Sequence, residues 1–80
     1  MADNVWLTVR DLLADYVGVP AEDFQMEKSL DLDYAMDSTE LTEFARQIES
    51  RFALSIAKSQ RSSWERGEDV AAFVRAQAVA

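Results

Sequence analysis

Tyr34-Ala35-Met36-Asp37-Ser38-Thr39-Glu40-Leu41 is the stretch that decides the reading of this chain, because a loop rich in acids turns there into an amphipathic helix. Asp37 is an N-cap residue type, and Glu40 three positions later completes a capping box, so a helix is predicted to begin with Ser38 in its first turn. Leu41, Phe44, Ala45, Ile48 and Phe52 follow at i, i+3, i+4, i+7 and i+11. That is a one-sided apolar stripe, and it has to pack on other helices. Ser38 therefore stands at the lip of the core that the stripe builds.

Outward toward the N-terminus, Val5, Val9, Leu12, Leu13 and Tyr16 repeat at helical spacing, with Asp3 or Asn4 available as cap and Trp6 and Val17 widening the apolar face. Gly18 is placed as the residue just past this helix, and Pro20-Ala21-Glu22-Asp23-Phe24 reads as a turn. About twenty residues separate the two helices, well beyond the usual two to eight. No period dominates from Gln25 to Met36, and Phe24, Leu30, Leu32 and Tyr34 are expected to pin this long loop to the core. After Phe52 the polar run from Ala57 to Ser63 allows at best a short helix, Trp64 is its expected anchor, and Gly67 reads as a break. A last helix follows, with Glu68 and Asp69 in its first turn and Val70, Phe73, Val74 and Gln77 on one face; the tail from Ala78 to Ala80 is expected to fray. No alternating strand pattern occurs. The fold class is all-α, a small bundle of three to four helices with a long loop between the first and second, and residues 1–80 form a single domain.

Composition narrows the chemistry. The 80 residues contain neither Cys nor His, which removes disulfides, thiolate chemistry, zinc sites of the usual kind and His-based triads together. A reducing, cytoplasmic setting is consistent with this, and neither a basic secretory n-region nor a membrane-length apolar run is present. The net charge of −7 is uneven. Residues 27–43 hold six acids against Lys28, whereas residues 44–66 hold Arg46, Arg51, Lys58, Arg61 and Arg66 against two acids. The lip around Ser38 is thus the negative pole, a field that steers basic protein surfaces toward it. With a pI near 4.3, the basic run from Lys58 to Arg66 does not indicate nucleic-acid binding.

Other site chemistries fail on the residues. Asp31 and Asp33 resemble the start of a calcium loop, yet Ala35, Met36 and Thr42 stand where an EF-hand needs an oxygen ligand, a glycine and a glutamate. The pair Asp33/Asp37 has no nucleophile beside it to activate, so a stand-alone enzyme is not expected; no catalytic or metal-binding residue is assigned.

Over nearly its whole length the chain resembles the acyl carrier proteins. The resemblance lies in Val17-Gly18-Val19-Pro20-Ala21-Glu22-Asp23-Phe24, in the loop from Ser29-Leu30 to Asp37-Ser38, in the run from Glu43 to Ile56, and in Asp69-Val70-Ala71-Ala72-Phe73-Val74. It implies that Ser38, following Asp37, receives a 4′-phosphopantetheine arm from coenzyme A through a separate magnesium-dependent phosphopantetheinyl transferase. The thiol of that arm would hold acyl intermediates as thioesters, which makes the chain a carrier phosphoprotein acting with acyl-loading and acyl-processing enzymes. Those partners are expected to dock through basic surfaces on Thr39, Glu40, Thr42, Glu43 and Arg46, with the carrier a monomer bound to neither membrane nor nucleic acid.

The residues agree independently, since a phosphodiester on the first turn of a helix meets free N–H groups and the positive end of the dipole, each interaction worth about 0.3–1 kcal/mol. An acyl chain would ask for an apolar lining, for which Leu41, Phe44, Ile48, Phe52, Leu13, Tyr16 and Phe73 are the candidates. Two departures from the family pattern stand beside the serine. Ala35 replaces the common glycine, at a cost on the order of 1 kcal/mol if its φ is positive. Thr39 replaces the common leucine, and Thr42 and Arg46 stand where the principal fatty-acid carriers expose apolar residues, which points to a specialised fatty-acid, polyketide or related pathway. The competing reading is a small helical adaptor that docks through the acidic face of the second long helix and is never modified.

Overall fold

The computed structural model describes residues 4–78. Among them are five α-helices and no strand: α1 (Asn4–Val17), α2 (Leu30–Tyr34), α3 (Ser38–Phe52), α4 (Lys58–Arg61) and α5 (Gly67–Ala78), with a single 3-10 turn at Ala21–Asp23. The all-α bundle expected from the periodicities is the one observed. Asn4 is the first helical residue of α1, and Asp3, the other cap candidate, lies outside the described residues, as do Val79 and Ala80. Ala78 still belongs to α5.

The core is assembled from every element except α4. Val9, Leu13 and Ala14 of α1 meet Phe44, Ala45 and Ile48 of α3 and Val70, Ala71 and Val74 of α5. The α1–α5 seam is the most extensive of these contacts. Gly67 opens α5 instead of breaking the chain. A Cβ there would lie 2.7 Å from the Met26 sulfur, 3.2 Å from Leu13 Cδ1 and 3.3 Å from Met26 Cα, so a side chain at this position would have to displace Met26 and Leu13. Asp69 fixes the start of α5 by accepting from the amides of Glu65 (3.0 Å) and Arg66 (2.9 Å). Gly18, at φ 83°, turns the chain out of α1 as expected, its amide donating to the Ala14 carbonyl at 2.8 Å.

The long connection is more ordered than its sequence suggested, because α2 forms inside it. Ser29 caps α2 through its hydroxyl, which accepts from Leu32 N, and Asp33 accepts from Ser29 N at 2.9 Å. Two backbone bonds tie the connection to the approach to α5, Leu30 N to Glu65 O at 2.8 Å and Glu68 N to Met26 O at 3.0 Å. Leu30 is buried, and Tyr34 stacks on the buried Phe24 with ring centroids 4.3 Å apart. Leu32, however, is 86 % exposed and pins nothing. On a one-turn helix Leu30 and Tyr34 share a face by their i, i+4 spacing, and the residue between them is turned away. Met26 and Met36, both buried, anchor the loop in its place.

Candidate functional site

The exit of α2 sets up the beginning of α3. Ala35 takes a left-handed conformation, φ 56°, so the amides of Ala35 and Met36 reach back to the carbonyls of Asp31 (3.0 Å) and Leu30 (2.9 Å). The cost of an L-residue there, on the order of 1 kcal/mol, is therefore incurred. The sharp reversal drives Met36 into the core and turns Asp37 and Ser38 out to solvent. Asp37 is extended, and its Oδ1 accepts from Glu40 N at 3.0 Å, while Glu40 Oε1 accepts from Asp37 N at 3.3 Å. This is the capping box read from the sequence. It leaves the first-turn amides of Ser38 and Thr39 without a partner among the described residues.

Ser38 and Thr39 are exposed, and Glu40 is half-buried in the box. The Thr42 hydroxyl donates to the Ser38 carbonyl at 2.8 Å and accepts from Arg61 Nε at 3.2 Å, which ties α4 to the first turn of α3. Glu43 accepts from the Tyr16 hydroxyl at 3.0 Å. Loss of solvent, this bond and the charges of Glu43, Glu40 and Asp37 together raise the Tyr16 pKa above its ordinary 10.0. Arg46 lies farther along α3, where it borders a shallow groove with Leu12 and Arg51. Asp37, Ser38, Thr39, Glu40 and Thr42 thus share the beginning of the helix, and Glu43 and Arg46 continue its exposed side. Asp31 and Asp33 belong to α2, and no cluster of acids among the described residues is placed to hold a metal ion.

A cleft of about 640 Å³ opens beside Ser38, between α2, the start of α3 and the chain leading into α5. Its apolar walls are Leu32, Met36, Leu41 and Trp64. Of the acyl-lining candidates only Leu41 takes part. Leu13, Phe44 and Ile48 are fully buried in the core and do not line this cleft, and Phe73 meets the Trp64 ring edge-on, its centroid 5.6 Å away. Trp64 is the anchor expected, 4 % exposed, and its indole nitrogen is buried without a hydrogen-bond partner among the described residues.

Residues 8–62 match the family described as the phosphopantetheine attachment site. The chain belongs to this family. The matched segment takes in most of α1 and all of α2, α3 and α4, with the capped beginning of α3 inside it. No curated protein gives a significant match along the chain. The prosthetic group of the family is 4′-phosphopantetheine, and the surroundings of Ser38 fit it: an exposed hydroxyl, two open amide donors for a phosphate, and a cleft walled partly by apolar side chains alongside. Sequence reading missed Leu32 and Trp64 as cleft walls and Lys58 and Arg61 as neighbours of the serine. The basic run was visible in the sequence, but nothing local to it said which helix it would face.

Proposed function

We propose that Ser38 is the attachment point and that the protein carries acyl intermediates for a specialised fatty-acid, polyketide or related pathway. The observation that carries this reading is an exposed serine at the first position of a capped 15-residue helix, inside the segment that matches a phosphopantetheine attachment family. The bound arm supplies a thiol that holds acyl groups as thioesters. The chain's own part is to present the hydroxyl, to offer the Ser38 and Thr39 amides to the phosphate, and to guide partners with charge. Asp37 holds the backbone of the serine in place through the cap and is a positioning residue.

The partners are a phosphopantetheinyl transferase and separate loading and processing enzymes with basic docking surfaces, met by a monomeric, cytoplasmic carrier whose 80 residues act as one domain. Asp37, Glu40 and Glu43 give the face its negative sign, while Thr39, Thr42 and Arg46 make it more polar than an apolar docking helix, which supports a dedicated set of enzymes. None of the described helices is long and apolar enough to cross a membrane.

Incubation with coenzyme A, magnesium and a broad-specificity transferase, followed by intact mass measurement, tests the assignment. Wild type should gain one phosphopantetheine and Ser38→Ala none. A wild-type protein that stays at its apo mass, or a Ser38→Ala protein that still gains the arm, sinks it.

A further inference from the structure

The beginning of α3 does not face only acids. Across from it, α4 brings two cations to the serine, and a small cavity of about 80 Å³ is lined by Ser38, Leu41, Thr42, Lys58, Arg61 and Ser62. Arg61 is held by its Nε bond to the Thr42 hydroxyl, one turn along from Ser38, and its guanidinium makes no other hydrogen bond or ion pair among the described residues. Its two terminal amino groups are therefore available while its direction is fixed. Lys58 is exposed, and its ammonium has no ion-pair partner among the described residues. Both cations lie in a chain of net charge −7, yet neither forms an ion pair with a carboxylate among the described residues.

We propose that Lys58 and Arg61 form a cationic cradle for the phosphodiester of an arm on Ser38, an inference that rests on the carrier reading. A phosphodiester at Ser38 would be repelled by Asp37 and Glu40 and attracted to α4, where a fixed guanidinium and a flexible ammonium offer charge-assisted hydrogen bonds. Lys58 and Arg61 thus act as positioning residues. The small cavity shares Ser38, Leu41 and Ser62 with the larger cleft. A phosphate held on the α4 side starts the arm at the margin of that cleft and directs it away from the acidic face of α3, which stays open to partners.

The test compares each protein with itself before and after loading, so that differences in basal stability cancel. Apo and holo forms of wild type, Lys58→Ala, Lys58→Arg and Arg61→Gln are melted at low salt, and the 31P resonance of each holo form is recorded. Loading should raise the wild-type Tm by about 3 °C. The gain should fall to half or less in Lys58→Ala and in Arg61→Gln and return in Lys58→Arg, with a narrower, more mobile 31P signal in the two weakened variants. Equal gains in all four proteins with the same 31P linewidth would overturn the cradle and leave the carrier standing. A wild type that takes up no arm would remove both.

Discussion

Where α1 meets α5, Val9, Leu13, Val70 and Val74 are completely buried, and Gly67 has no side chain to displace Met26 and Leu13. At the beginning of α3, Asp37, Ser38 and Thr39 are all exposed, and what orders them is a reciprocal pair of hydrogen bonds between Asp37 and Glu40. The seam is held by packing, where a change of volume is felt; the lip is held by backbone capping, which asks only for acceptors on Asp37 and Glu40. The serine is thereby presented at a fixed place without being buried, and the stability of the domain is vested elsewhere.

That division can be broken most heavily at the seam. Leu13→Ala should lower the unfolding free energy by about 2–5 kcal/mol, through lost burial and the cavity left between α1 and α5. Urea denaturation reads the loss, while the folded fraction should load at Ser38 as wild type does. Loading that fails in protein shown to be folded would mean that the two regions are coupled.

The lip answers more mildly. Asp37→Ala removes the acceptor for Glu40 N and should cost about 0.5–2 kcal/mol, whereas Asp37→Asn, which keeps an acceptor and drops the charge, should retain most of it. Equal losses in both variants, measured by the same denaturation, would show that charge and not capping orders this end of α3.

Tyr16 joins the two regions and should give the smallest effect. It packs edge-on to Phe44, centroids 5.8 Å apart, and donates to Glu43 on the docking face. Its raised pKa means that the folded state favours the neutral phenol. The stabilisation is present in full below the unfolded value of about 10 and is lost as pH climbs through the higher folded value. Thermal melts across that alkaline range should fall more steeply for wild type than for Tyr16→Phe. Parallel slopes would mean that the hydroxyl contributes nothing to pH-dependent stability.

The helices and the candidate serine were legible because their signals are local. Apolar residues three and four apart fix a face, Asp37 and Glu40 fix a beginning, and Gly18 fixes an end, all within a turn or two of chain. What escaped was whatever depended on the path between helices. α2 arose in a stretch with no period, and it turned Leu32 outward while Met26 and Met36 went in. Ala35 and Ala53, both at φ 56°, end helices in a conformation that their side chains disfavour, so no glycine advertised those turns. Gly67 looked like a break and proved to be a close contact, since only a neighbour from another part of the chain makes its missing Cβ matter. In the same way the sequence displayed a basic run at Lys58 and Arg61, but the fold alone, by laying α4 across the first turn of α3, set those charges beside Ser38.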